Sequence, residues 1–82
     1  PHPDPSLTLI YCPCPDQDVA RELAQGLLRA RLVACANLLP AGTSLYFWEG
    51  TLTEAAETIL LCKTLPSLQA RATDWLKAHH PY

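Results

Sequence analysis

A tight turn between two long runs of strand-forming residues constrains the fold of this chain more than any other feature. Residues 43–48 are Thr-Ser-Leu-Tyr-Phe-Trp, and Glu49-Gly50 follows them. Because glycine adopts positive φ at little cost, this pair predicts a hairpin turn, with a return strand over Thr51 to Thr64. The four large apolar side chains of residues 45–48 are too many for a solvated hairpin, which indicates that the hairpin contacts another surface.

The first third of the chain predicts a strand followed by a helix. Leu7 to Cys12 is rich in strand-forming residues and ends at Pro13, which indicates a first strand. Apolar residues then recur every three or four positions from Pro15 to Ala30, the pattern of an amphipathic helix. Pro15 suits the first helical position, and Asp16 suits the positive end of the helix dipole.

Two further elements complete the predicted order. The apolar run Leu32 to Leu39 predicts a second strand, and Pro40-Ala41-Gly42 predicts a kink or bulge before it resumes at Thr43. Pro66-Ser67 opens a second helix, which Pro81 ends.

The resulting order, β-α-β-β-α, places the chain in the α+β class. It matches a ferredoxin-like β-α-β-β-α-β sandwich whose last strand is missing from this chain. Without that strand, one edge of strand one is open, so we expect either a longer polypeptide or a neighbouring chain on that edge. Residues 1–6 predict a flexible proline-rich leader, and residues 7–82 predict a single domain.

Composition restricts the classes of partner. The 82 residues are 49% apolar and 17% charged. This apolar fraction is high for so small a domain and favours oligomerisation. A net charge of −2 argues against nucleic-acid binding and against a polybasic membrane anchor. The longest apolar run, Leu32 to Ala36, is far too short to span a membrane. We therefore expect a soluble protein with no nucleic-acid partner and no membrane insertion.

The four cysteines divide into two kinds. Cys35 and Cys62 lie within apolar runs, which predicts buried, reduced thiols and a cytoplasmic location. Cys12 and Cys14 form a Cys-x-Cys pair at the end of strand one. Such a pair alone is a weak metal signal, so metal ligation and simple burial both remain open for these two thiols.

Several segments together resemble one known family. They are Cys12-x-x-Pro15-Asp16, Arg31-Leu-Val-Ala-Cys-Ala-Asn-Leu-Leu-Pro40, Ser44-x-Tyr-x-Trp-Glu-Gly50 and His79-His-Pro-Tyr82. In these segments the chain resembles the CutA divalent-cation-tolerance family, of the bacterial type. The resemblance covers nearly the whole chain, but the strand and closing segment that follow the His-Pro-Tyr motif in the family are absent.

The resemblance implies an architecture and a role. The family forms homotrimers of ferredoxin-like protomers, similar to the PII signalling proteins, and confers tolerance to divalent cations, above all copper. It carries no established reaction, so the resemblance implies a binding protein and not an enzyme. It also implies copper ligands, which correspond here to Cys12, His79 and His80.

The predicted topology brings the same residues together. Strand three runs antiparallel to strand one, so the helix after it returns towards the end of strand one, where Cys12 lies. Thiolate and imidazole ligands suit copper, or zinc, better than magnesium or calcium. Consecutive helical residues point roughly 100° apart, so we expect at most one of His79 and His80 to face Cys12. Both could instead be structural histidines, favoured by the helix dipole.

Other functions remain as alternatives. A small-molecule sensor of PII-like architecture would use Glu57 and Lys63 as candidate contacts. A scaffold protein would need only the assembly and no metal. A catalytic role with Cys12 or Cys35 as nucleophile is disfavoured, because no histidine–aspartate partner can be assigned from the sequence.

Overall fold

The fold consists of one sheet with two helices packed on one of its faces. The structure is a computed structural model that describes residues 7–81; the predicted leader at residues 1–6 and Tyr82 lie outside the described residues. The elements in order are β1 (Thr8–Cys14), α1 (Gln17–Arg29), β2 (Cys35–Trp48), β3 (Thr51–Thr64) and α2 (Pro66–His79). The sheet is antiparallel with order β1-β3-β2. The predicted α+β class is confirmed, and a ferredoxin-like arrangement is consistent with this topology.

Strand β1 runs two residues further than the sequence predicted. It continues through Pro13, which pairs with Ile59, and ends at Cys14, which pairs with Thr58. Within residues 7–81, β1 pairs with β3 only, so it is an edge strand, and an edge strand tolerates a proline on its unpaired side. The predicted end at Cys12 was therefore wrong, and both cysteines belong to the strand.

Helix α1 begins where a side chain caps it. Asp16 is the N-cap, and its Oδ1 accepts a hydrogen bond from the Val19 backbone N–H at 2.8 Å. The helix therefore starts at Gln17 and not at Pro15. A Cβ added at Gly26 would lie 2.4 Å from Cη2 of Trp75, so the missing side chain allows α1 and α2 to approach closely.

The β2–β3 hairpin has the turn and the bulge that the sequence predicted. Both turn residues have positive φ, 49° at Glu49 and 79° at Gly50, which is the pattern of a type I′ turn. The register shifts between Leu39 and Gly42. The predicted start of β2 was wrong: Leu32 lies before the strand, where its carbonyl accepts a hydrogen bond of 2.6 Å from the buried Thr64 hydroxyl.

The core lies between the sheet and the helices. It contains side chains from β1, β3 and both helices, and its members include Ile10, Cys12, Cys14, Ala20, Leu23, Leu27, Leu60, Cys62, Ala72 and Leu76. Beyond the bulge, the hairpin continues as an arm (residues 43–56) that gives the molecule its length of 46 Å. Large apolar side chains of this arm are exposed: Leu45, Tyr46, Phe47, Trp48 and Leu52.

Candidate metal centre

Three potential metal ligands meet where β1 ends and α2 ends. One ligand atom from each of Cys12, Cys14 and His80 lies within 4.8 Å of the other two. Both cysteines are buried and His80 is half-buried. The grouping follows from the topology, because β3 leads away from the end of β1 and α2 returns to it. The His80 Nε2–H donates to the Pro13 carbonyl at 2.8 Å, which joins residues 67 positions apart.

The end of helix α2 determines how the two histidines point. Helix α2 ends at His79, and His80 is extended, with φ −73° and ψ 138°. The His80 backbone N–H still donates to the Leu76 carbonyl at 2.7 Å, which caps the helix. A carbonyl can only accept a hydrogen bond, so in neutral His80 the proton is on Nε2 and the lone pair is on Nδ1.

His79 lies outside this group of ligands. Its Nδ1–H donates to the Trp75 carbonyl at 2.7 Å, and its ring stacks on the Trp75 indole with 3.9 Å between centroids and 13° between planes. Of the three predicted ligands, the structure therefore brings Cys12 and His80 together and places His79 apart. The expectation that at most one of the two histidines faces Cys12 agrees with this geometry.

Burial controls the ionisation of the thiols. It raises the pKa of Cys12, and the hydrogen bond with Cys14 opposes this in part. Burial, with smaller contributions from Cys12, Glu57 and Cys62, raises the pKa of Cys14 to about 12. Both groups are therefore neutral thiols at pH 7, and a cation that binds them must displace their protons. Neutral thiols are poor nucleophiles, which weakens the alternative of Cys12 as a catalytic cysteine.

The donor set fits some metals and not others. Sulfur and imidazole nitrogen are ligands that copper and zinc accept, and the group contains no carboxylate oxygen of the kind that magnesium and calcium require. All four cysteines are free thiols, so Cys12 and Cys14 are available as donors.

Cys14 is the residue for which the sequence left the role open. The signal was its spacing from Cys12, because residues two apart on a strand point to the same face. Because the predicted strand stopped before Pro13, Cys14 was not assigned to the strand, and its shared face with Cys12 was not predicted. The contact between His80 and the Pro13 carbonyl had no signal in the sequence, since it depends on where α2 ends.

The two residues predicted as contacts of a small-molecule sensor, Glu57 and Lys63, do not line the same groove. A groove of 670 Å³ at the base of the arm has Glu57 in its lining, together with Pro13, Pro15, Ser44 and Tyr46. The Ser44 hydroxyl donates to Glu57 Oε1. Lys63 is exposed and pairs with Leu9 and Cys35, and it does not line this groove.

Comparisons with known proteins identify the family. The family model described as CutA1 divalent ion tolerance protein matches residues 8–82. The divalent-cation tolerance protein CutA of Salmonella newport is 45% identical over 78 residues, which cover 95% of this chain and 68% of that protein.

No helix within residues 7–81 has the length and apolar character needed to cross a membrane.

Solved structures of the same kind share the fold. The divalent ion tolerance protein CutA1 from Ehrlichia chaffeensis superposes with a TM-score of 0.91 at 34% identity, covering 94% of this chain and 72% of that one. A CutA from Archaeoglobus fulgidus, described as periplasmic, gives a TM-score of 0.87 at 34% identity, covering 93% and 74%. The chain therefore belongs to the CutA1 divalent ion tolerance protein family.

Proposed function

We propose that this chain is a copper-binding protein of divalent-cation tolerance that acts as a homotrimer. The observation that carries the metal-binding part is the convergence of Cys12 and His80, from opposite ends of the chain, on one buried corner of the fold. The family's name supports a role with metal ions. That name describes tolerance to ions and no reaction, which supports a binding protein over an enzyme.

The proposed ligands start from the predicted set of Cys12, His79 and His80. Support is direct for Cys12 and His80, whose ligand atoms are already close. His79 would have to give up its hydrogen bond to Trp75 and its stacking on that ring before it could join them. Metal binding therefore depends first on Cys12 and His80.

A copper competition titration tests this function. We expect Cys12→Ser and His80→Ala each to weaken copper binding by at least about tenfold, because each removes a ligand. Cys35→Ser is the matched control, since it alters a half-buried cysteine outside the group, and it should keep the wild-type affinity. Unchanged affinity in both ligand variants would refute copper binding at this corner.

The exposed apolar arm supports the homotrimer. An isolated chain would leave Phe47 74% exposed and Leu52 62% exposed, which is unfavourable in water and is relieved when another copy covers them. Light scattering with and without copper measures the mass of the assembly directly. We expect a trimer in both conditions, and a folded monomer at micromolar concentration would contradict the proposal.

The free thiols bear on the compartment. Cys62 is buried and Cys35 is half-buried within apolar runs, a setting typical of cysteines that stay as thiols. Reduced thiols persist in the cytoplasm, whereas oxidising compartments favour disulfides. We therefore place the protein in the cytoplasm, and thiol alkylation of protein extracted under native conditions tests this placement.

A second candidate function is a small-molecule sensor. The groove that contains Ser44 and Glu57 is large enough for a small ligand and lies beside the arm. Calorimetric titration with nucleotides distinguishes the two functions, because a protein that binds only metal should release no heat.

A further inference from the structure

The family resemblance assigns a metal role to Cys12 and none to Cys14, yet the geometry treats these two residues alike. Both side chains point from β1 towards the helices, because they are two residues apart on one strand, and both are buried. Sulfur ligands of a tetrahedral zinc lie about 3.8 Å apart. The three ligand atoms, within 4.8 Å of one another, need to move only about 1 Å to reach that spacing.

The hydrogen bond of His80 is the one that a metal-binding histidine needs. A ligating imidazole usually donates one ring N–H to a backbone carbonyl or a carboxylate, which fixes the orientation of the ring. The His80 Nε2–H donates to Pro13, the residue between the two cysteines. The backbone at Pro13 therefore links the positions of the two sulfurs to the orientation of the imidazole.

The side chain of His79 already makes two contacts outside this group. His79 is held by a hydrogen bond and a ring stack to Trp75, a residue packed against the core on α2. Moving it into the group would cost both contacts, whereas Cys14 needs no rearrangement of the backbone.

We propose, on the basis of the function proposed above, that Cys14 replaces His79 as the third ligand of the metal site. The site is then formed by Cys12, Cys14 and His80, and its cargo is a thiophilic cation, Cu(I) or Zn(II). On binding, each thiol loses its proton to solvent and each sulfur donates an electron pair to the cation.

Charge and burial favour such a cation. Two thiolates with Zn(II) make a neutral group, and with Cu(I) a group of charge −1, so little charge is buried once the cation is bound. Soft sulfur ligands select Cu(I) and Zn(II) over magnesium and calcium. Cu(I) would use the three ligands alone, whereas Zn(II) would keep a fourth position for water or another donor.

Titrations of the reduced full chain test the assignment of Cys14. Cu(I) and Zn(II) are each titrated against a competing chelator under anaerobic conditions. We expect Cys14→Ala and Cys14→Ser to weaken binding by at least about tenfold, and His79→Ala to bind as the wild type does. Cys62→Ala, which alters another buried cysteine of the core, is the matched control.

A spectrum counts the thiolates independently of affinity. In protein saturated with Co(II), the thiolate-to-cobalt absorption should fall by half in Cys14→Ser and should not change in His79→Ala. Circular dichroism of each variant verifies that it is folded, and Cys14→Ser keeps the size of the side chain if Cys14→Ala does not fold.

The possible outcomes separate the two proposals. Wild-type affinity and absorption in both Cys14 variants, with loss in His79→Ala, would overturn the role of Cys14 and leave copper binding in place. Unchanged binding in Cys12→Ser and His80→Ala as well would refute the metal function itself. Loss in the Cys14 variants with an unaffected His79→Ala supports the assignment.

Discussion

The two halves of strand β3 have similar lengths and opposite surroundings. From residue 58 to residue 64, alternate side chains are buried: Thr58, Leu60, Cys62 and Thr64. From residue 51 to residue 57, none is buried, and Leu52 is 62% exposed. The helices cover residues 58–64 of β3, whereas the arm of the hairpin extends past the helices.

This difference shows which part of the fold one chain can complete. The covered half has its apolar partners within the chain, in α1 and α2. The arm presents apolar residues on a two-stranded hairpin, which is at best marginally stable alone in water. The covered half therefore determines whether the chain folds, and the arm determines what the folded chain contacts.

The largest expected effect comes from shortening a leucine in the covered half. Leu60 is fully buried, so Leu60→Ala should lower the free energy of unfolding by about 2–5 kcal/mol, through lost burial and a residual cavity. Leu52→Ala is the matched control on the same strand and should cost less than half as much. Urea unfolding measures both, and equal losses would show that the arm is as well covered as the core.

A smaller effect should appear as pH dependence of the covered half. Burial raises the pKa of Cys62 from 9.0 to about 11, so the neutral thiol is favoured in the folded state. Its stabilising contribution is complete below pH 9 and is lost as the pH rises towards 11, a change on the order of 1–3 kcal/mol. In Cys62→Ala, the free energy of unfolding should therefore decrease less steeply with pH over this range.

The control for that experiment is Leu28→Ala, which alters an exposed side chain that does not titrate and should keep the wild-type dependence on pH. Unfolding measured at several alkaline pH values distinguishes the variants. Identical profiles for wild type and Cys62→Ala would show that burial of this thiol does not control alkaline stability.

The smallest effect on the fold itself is expected in the arm. Phe47 is 74% exposed, so Phe47→Ser should leave the circular dichroism spectrum unchanged while it lowers the solution mass below that of a trimer. Leu28→Ser alters an exposed leucine of α1, away from the arm, and should keep the wild-type mass. If Phe47→Ser retains that mass, the arm does not hold the assembly together.

Much of the fold could be predicted from local patterns. The hairpin turn at Glu49-Gly50, the bulge near Pro40 and the amphipathic α1 all follow from residues a few positions apart, and all are present. The end of β1 was missed because the effect of Pro13 depends on whether its strand is central or at an edge. That is a property of the sheet and not of the neighbouring residues.

The candidate site could be predicted only in part. Topology alone was enough to expect a C-terminal histidine near Cys12, because antiparallel strands and a returning helix fix which ends meet. Which histidine it is depends on the residue at which α2 stops, and the stacking of His79 on Trp75 contributes to that choice.

The sequence by itself determined the order of elements, the position of the turn and the family, since each of these depends on residue types at short, fixed spacings. Only the tertiary structure decided that Cys12, Cys14 and His80 share one corner of the fold and that the chain's own helices leave the arm uncovered. The physical reason is that both results depend on contacts between residues distant in the chain, and such contacts exist only once the sheet and helices have packed.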